Sequence, residues 1–283
     1  MQTWPAPAKL NLFLHVVGCR PDGYHLLQTV FQFLDYGDEL SFEITDDGRI
    51  ARATELAGVP EETDLSVRAA RLLQAHARAK RGAVIHLKKR IPAGGGLGGG
   101  SSDAATTLIA LNELWGLGLQ REELAVLGLK LGADVPVFIH GRAAWAEGVG
   151  EVLTPVEPTE RWYLVLVPPA QVSTAAVFAD PELTRHTPPI TIRAFLEGRG
   201  GNDLEPVVRR RYPEVDRALR WLSQYGTARM TGSGACVFLP VADRAEGEQI
   251  LAQRPQAFGG FTARGVNRHP LSEVRGTRGE IRG

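Results

Sequence analysis

Residues 9–16 alternate strictly. Leu10, Leu12, Leu14 and Val16 point one way and Lys9, Asn11, Phe13 and His15 the other, which is the period of two that marks a strand. The pattern predicts one buried face, and the turn Arg20-Pro21-Asp22-Gly23 closes the strand. Strand-like sequence over 40–44 leads into Asp46-Asp47-Gly48. Leu65, Ala69, Leu72, Leu73 and Ala77 then recur at helical spacing and predict a helix over 65–79. A short strand is predicted at 83–87, followed by a glycine-rich loop. The helix expected next starts near Ser101 or Ser102 and turns Ala104, Leu108, Leu111 and Trp115 inward, with Ala105 and Ile109 beside them. A second helix covers 121–131, and two strands are expected at 137–139 and 143–147. In the second half a strand is predicted at 162–167, and helix over 205–225 interrupted by Pro213. A hairpin over 229–240 turns at Gly232-Ser233-Gly234, and a helix at 245–253 and a strand at 261–266 follow. The sequence from His269 is polar and rich in Gly and Arg, and reads as a loose tail. This mixture predicts an α+β chain. A composition change near 155–158 divides it into 1–153 and 154–268, with 269–283 as the tail.

Composition narrows the partners. Thirty-two basic residues balance 32 acidic ones, so no basic excess points to nucleic acid. The run Arg209-Arg210-Arg211 reads as a solvated helix face. No stretch approaches the roughly 20 apolar residues that span a bilayer. The first residues lack the regions of a signal peptide, so a cytoplasmic location is expected. Cys19 and Cys236 lie far apart, without zinc spacing, so neither a metal site nor a disulfide is expected. Lysine occurs only as Lys9, Lys80, Lys88, Lys89 and Lys130 in an arginine-dominated chain, which makes each one more informative.

The segment Pro92-Ala93-Gly94-Gly95-Gly96-Leu97-Gly98-Gly99-Gly100-Ser101-Ser102-Asp103 carries the most chemistry. Glycine lets backbone N–H groups approach an anion closely, and a helix N-terminus just after the loop adds unpaired N–H groups and a positive dipole end. The hydroxyls of Ser101 and Ser102 can cap the helix, bind phosphate oxygens or ligate Mg²⁺. Six glycines within seven positions make an ordinary surface loop a poor explanation. A Walker A loop is excluded, because no Lys-Ser or Lys-Thr follows the last glycine. A dinucleotide fold needs a strand after the first helix, and a second helix stands there instead.

Pro92 to Ala105 resembles the phosphate-binding motif of the GHMP kinases. Further stretches extend the resemblance over nearly the whole chain: Pro7-Ala8-Lys9-Leu10-Asn11-Leu12, Arg20-Pro21-Asp22-Gly23-Tyr24-His25, Leu131-Gly132-Ala133-Asp134-Val135-Pro136-Val137-Phe138, Gly201-Asn202-Asp203-Leu204-Glu205 and Met230-Thr231-Gly232-Ser233-Gly234-Ala235-Cys236. It implies two lobes, an N-terminal ATP-binding lobe of ribosomal-S5-like type and a C-terminal ferredoxin-like lobe, with the active site between them. The implied reaction moves the γ-phosphate of ATP, with Mg²⁺, onto a hydroxyl. The Lys-Leu-Asn and Gly-Tyr-His stretches narrow the acceptor to a sugar alcohol carrying cytidine diphosphate. No nucleic acid, membrane or obligate protein partner is implied. Another alcohol, or a silent nucleotide- or sugar-sensing homologue, is the alternative; the joint presence of Lys9, Asn11 and Asp134 weighs against silence.

On the residues alone, Asp134 reads as a turn or helix-terminus aspartate, and Lys9 as a solvent-facing strand lysine. The resemblance makes Asp134 the base that takes the hydroxyl proton and Lys9 its electrostatic partner. It puts Pro92, Gly94, Gly95, Gly96, Leu97, Gly98, Gly99, Gly100, Ser101 and Ser102 around the nucleotide phosphates. Tyr24, His25 and Phe178 fall at the cytidine end, where an aromatic ring can stack and an imidazole can read a polar edge. Asn11 lies nearer the sugar alcohol, although Phe178 equally suits a core. Gly232 and Ser233, a hairpin turn by themselves, support the phosphate loop. Cys236 reads as a small buried residue. One departure is visible: Asp64 stands where similar enzymes often carry Asn, close to the nucleotide base.

Overall fold

The computed structural model describes residues 1–56 and 58–271. Its strands are β1 (Trp4–Cys19), β2 (His25–Thr45), β3 (Ile50–Arg52), β4 (Gly82–Lys88), β5 (Ala144–Glu147), β6 (Val152–Pro155), β7 (Trp162–Val167), β8 (Arg229–Met230), β9 (Val237–Val241) and β10 (Gly259–Val266). Its helices are α1 (Leu65–Ala77), α2 (Gly99–Leu114), α3 (Arg121–Leu129), α4 (Val135–His140), α5 (Thr174–Phe178), α6 (Ile192–Leu196), α7 (Glu205–Arg211), α8 (Pro213–Leu222) and α9 (Arg244–Ala252). The strands join one sheet in the order β3-β4-β2-β10-β7-β9-β8, with β1 and β5 also paired to β2 and β6 paired to β5. Only β3 and β4 run parallel among the pairs described. This mixed sheet with helices packed on it is an α+β fold. Among the described residues no helix is long and apolar enough to cross a membrane.

Strand β2 is the axis. It is 21 residues long, absorbs the strand predicted at 40–44, and pairs in turn with β1, β5, β10 and β4. One core packs α1 to α4 against the first part of the sheet, and another packs α7 and α8 against β7 and β9. A third bridges them through Leu10, Phe13, Leu34, Leu97, Val165 and Phe238. Each fully buried Leu or Phe contributes about 1.5–3 kcal/mol, so this bridge holds the two ends of the sheet firmly together.

Five expectations are corrected. Strand β1 buries both faces, not one: Lys9, Asn11 and His15 are as hidden as Leu10 and Val16. Register shifts between Pro7 and Lys9, and between Asn11 and Leu14, flank the polar positions, and such bulges re-aim side chains. Residues 137–139 are helix, not strand. The run Val137-Phe138-Ile139 is too short for period to discriminate, whereas Pro136 in the first turn and Gly141 in left-handed C-cap geometry are helix boundary signals. Helix α2 begins at Gly99, with Gly98 (φ 72°) as its N-cap and no side-chain cap, so Ser101 and Ser102 sit inside its first turn. The tail does not begin at His269: His269 and Leu271 are buried, and the His269 ring meets Phe33 edge-on at 5.7 Å. Residues 272–283, the remainder of that expected tail, lie outside the described residues. The arginine run is not simply solvated either, because Arg209 pairs with Asp216, and Arg210 and Arg211 both pair with Asp180.

Candidate active site

The glycine loop, β1, the start of β2, the N-terminus of α4 and the 232–234 turn surround one cleft of about 1090 Å³. The loop's shape follows from what surrounds it. Gly94, Gly96 and Gly98 take left-handed φ of 68°, 74° and 72°. A Cβ on Gly96 would lie 2.2 Å from the Thr231 carbonyl oxygen, and one on Gly98 would lie 3.0 Å from both the Lys9 stem and the Phe138 ring. The loop is also stitched to the hairpin turn: Ala235 and Cys236 donate their N–H groups to the carbonyls of Gly94 and Gly95 at 3.2 and 3.1 Å. Leu97, fully buried, anchors it below, and its carbonyl accepts the Lys9 N–H at 2.9 Å.

Lys9 is almost wholly buried, with its ammonium 3.1 Å from the Asp134 carboxylate, bonded to Asn11 Oδ1, and 5.2 Å from the centre of the Phe31 ring. Asn11 is fixed in turn, since its Nδ2 donates to Thr29 Oγ1 and its backbone N–H to Thr231 Oγ1, both at 2.9 Å. Asp134 stands at the N-cap position of α4, yet its side chain caps nothing. The carboxylate is a third exposed and faces Lys9, not the helix. The carboxylate is therefore free of any helix-capping role.

Below the loop, the Lys89 ammonium sits between Asp38 and Asp103 (2.7 Å to Asp103), and Asp38 also accepts the N–H of Ile91 at 2.8 Å. One buried carboxylate thus holds the entry to the loop and, through Lys89, the first turn of α2. Burial lifts the Asp103 carboxyl to about 8 against the pull of Lys89. Burial pulls the Lys89 ammonium down, and the two carboxylates more than restore it. Ser101 lines the cleft, while Ser102 lies beneath its wall, fully buried, with its hydroxyl unpartnered.

Toward the other end, Tyr24 is exposed on the rim, and the His25 and Phe178 rings lie 4.9 Å apart at 35°. Ser233 lines the wall and shares a 2.7 Å hydrogen bond with Thr174. Gly232 lies behind the wall; a Cβ there would sit 3.2 Å from Asn11 Oδ1. Asn202 holds this turn by donating to the carbonyls of Met230 and Gly232 at 2.9 and 2.8 Å. Cys236 is sealed in the core, and burial pushes its thiol up to about 12, which removes it from chemistry.

Asp64 is fully engaged. Its Oδ1 caps α1 through the N–H of Ser66 at 2.7 Å, and its Oδ2 pairs with Arg52, the two side chains being 5% and 6% exposed. Arg52 therefore neutralises the charge that Asp64 carries, a partner that local sequence does not suggest. Arg52→Met leaves the carboxylate with backbone N–H partners alone and is expected to cost about 2 kcal/mol of unfolding free energy, within the range for orphaning a buried polar group. A urea midpoint equal to that of the parent protein would contradict this.

Arg52, Lys89, Asp38, Asp103, Thr29, Thr231 and Asn202 were not singled out by sequence. Asp103, Asn202 and Thr231 lay within the stretches that carry the resemblance but received no role there, and Lys89 stood out as one of five lysines in an arginine-rich chain.

The sheet and cleft define a phosphotransferase of the GHMP kind. The model of the GHMP kinase N-terminal domain matches residues 64–142, and that of the C-terminal domain residues 188–260. The chain belongs to the GHMP kinase family, which is ATP-dependent, and within it to the 4-diphosphocytidyl-2-C-methyl-D-erythritol kinases. The kinase of that name from Thiobacillus denitrificans is 60% identical over 95% of this chain and 97% of its own length. The one from Aromatoleum aromaticum is 59% identical over 94% of each. A crystal structure of a 4-(cytidine 5'-diphospho)-2C-methyl-D-erythritol kinase superposes with a TM-score of 0.79 at 33% identity, covering 94% of this chain and all of that one. A mevalonate kinase at 14% identity, with a TM-score of 0.68 over 95% of this chain and all of its own, shares the fold.

Proposed function

We propose that the chain transfers the γ-phosphoryl group of ATP to the 2-hydroxyl of 4-diphosphocytidyl-2-C-methyl-D-erythritol, a cytoplasmic step in isoprenoid precursor synthesis. The observation that carries this reading is the Lys9–Asn11–Asp134 cluster, which shares one cleft with the glycine loop and with Tyr24, His25 and Phe178.

Phosphoryl transfer asks mainly for positioning and charge compensation. Backbone N–H groups of 94–100 and the N-terminus of α2 hold the nucleotide phosphates. Asp134 accepts the 2-hydroxyl proton as that oxygen bonds to the γ-phosphorus, and the bond to the β-phosphate oxygen breaks with its electron pair leaving on ADP. Lys9, whose ammonium lies 3.1 Å from the Asp134 carboxylate, offsets the negative charge that develops on the attacking oxygen. Asn11 steers the ammonium and faces the sugar alcohol. Mg²⁺ arriving with ATP would supply charge neutralisation at the phosphates. Such an ion would take most of its ligands from phosphate and water, and Ser101, which lines the cleft at the end of the loop, would suit a remaining position.

A coupled ADP assay over a panel of alcohols tests the substrate. Turnover with the cytidine-bearing alcohol is expected to exceed that with homoserine or mevalonate by about 10⁴-fold, the scale reached when a polar site rejects an analogue that leaves its groups unpaired. Faster turnover of either small alcohol reassigns the acceptor, and absence of turnover with all of them points to a silent homologue.

A further inference from the structure

We propose that Arg185 is the positioning residue that fixes the pyrimidine-reading edge of His25, holding the imidazole as a neutral Nδ1–H donor toward the cytidine end of the cleft. The proposal rests on the assignment of Tyr24, His25 and Phe178 to that end.

The geometry leaves the imidazole one arrangement. Arg185 Nε lies 3.2 Å from His25 Nε2. A guanidinium stays protonated and has no acceptor, so it can only donate. Nε2 must offer its lone pair, and the ring proton must therefore reside on Nδ1. The remaining guanidinium nitrogens donate to backbone carbonyls, Nη1 to Leu183 at 3.1 Å and Nη2 to Phe178 and Asp180 at 3.0 and 2.7 Å. The Asp180 carboxylate is taken by Arg210 and Arg211, and no carboxylate among the described residues pairs with Arg185. Its charge thus faces the ring undiluted. Burial, and after it the Arg185 charge, hold the imidazole below its ordinary pKa, which keeps it neutral near pH 7. Nδ1 has no protein partner among the described residues, and His25 lines the cleft. The same guanidinium grips the carbonyl of Phe178, whose ring lies beside the imidazole, so one side chain sets both the donor and the flat surface next to it.

Cytosine and uracil differ where such a donor reaches. N3 of cytosine is a lone-pair acceptor, whereas N3 of uracil carries a proton. A fixed Nδ1–H is satisfied by the first and meets a second donor in the other. A histidine free to change tautomer would accept both bases, so the discrimination lies in Arg185 as much as in His25.

Two measurements on the full chain test this, with Arg185→Met and Arg185→Lys as variants. Long-range ¹H–¹⁵N correlation spectra of the histidines report the tautomer without any ligand. His25 is expected to show the Nδ1–H signature in the parent protein and in Arg185→Lys, and to shift toward Nε2–H in Arg185→Met. Calorimetry with cytidine and uridine 5'-diphosphate, in saturating ADP, reports base selection. The preference for the cytidine ligand is expected to shrink about 10-fold in Arg185→Met, the scale of one hydrogen bond, and to be largely retained in Arg185→Lys. An Nε2–H signature in the parent, or an unchanged tautomer and preference in Arg185→Met, overturns the proposal. Equal binding of the two diphosphates by the parent with the Nδ1–H signature intact instead overturns the cytidine-end assignment. The two failures are therefore told apart.

Discussion

Asp134→Asn is expected to lower kcat by about 10²- to 10⁴-fold, the usual contribution of a positioned general base. The substitution is close to a single-variable test. Asparagine keeps the shape of the side chain and removes the basic oxygen. Because Asp134 does not cap α4, no helix-terminus bond is lost with it. Lys9 loses its anion but keeps the Asn11 oxygen and the Phe31 ring. The carboxylate is a third exposed, so solvent screens much of the pair, and the expected loss in unfolding free energy is about 1 kcal/mol or less. Little change in KM for ATP is expected, since the proposed phosphate contacts come from backbone groups of the glycine loop and not from the Asp134 carboxylate. Equal falls in kcat and kcat/KM are the mark of an interaction made only in the transition state. Single-turnover kinetics with denaturant unfolding alongside check this, and undiminished turnover with a stable fold would remove Asp134 as the base.

Sequence carried the site and its surroundings unequally, and the reason is where each residue's partners lie along the chain. The glycine loop was legible because its chemistry is local: a run of glycines, three of which hold positive φ, and a following helix need no knowledge of the fold. Lys9 and Asn11 were legible as a same-face pair because strand period is local too. That both faces of β1 are buried was not, since the elements that meet it beside β2 are α2, the glycine loop at Leu97 and the 201–203 segment, all distant in sequence. Asp134 was ambiguous because the six residues after it suit strand or helix, and only the helix leaves its carboxylate free to turn to Lys9. Arg52 and Arg185 were illegible for a different reason. In a chain whose cations are nearly all arginine, nothing local marks one guanidinium that meets a buried carboxylate, or another that meets an imidazole 160 positions away.

The second large effect lies in the loop and separates two glycines that look equivalent in sequence. Both Gly94 and Gly96 hold positive φ, at which an added Cβ costs about 1–2 kcal/mol. Beyond that strain, a Cβ on Gly94 meets nothing within 4 Å, whereas one on Gly96 would lie 2.2 Å from the Thr231 backbone oxygen, which cannot rotate aside. Gly96→Ala therefore has to push the loop and the hairpin turn apart. Thr231 is also the residue whose hydroxyl accepts the Asn11 N–H, and Asn11 holds Lys9, so the displacement propagates to the reacting groups. A shift of about 1 Å at such groups costs about 10²-fold in rate. Gly96→Ala is expected to lose at least that much kcat/KM, with kcat and the KM for ATP both affected. In Gly94→Ala the loss should be about 10-fold and confined to KM, because only the phosphate-facing backbone is strained. Steady-state kinetics of the two variants side by side decide the matter. Equal losses would mean that strain at φ alone governs the loop and that its contact with Thr231 has no part in catalysis.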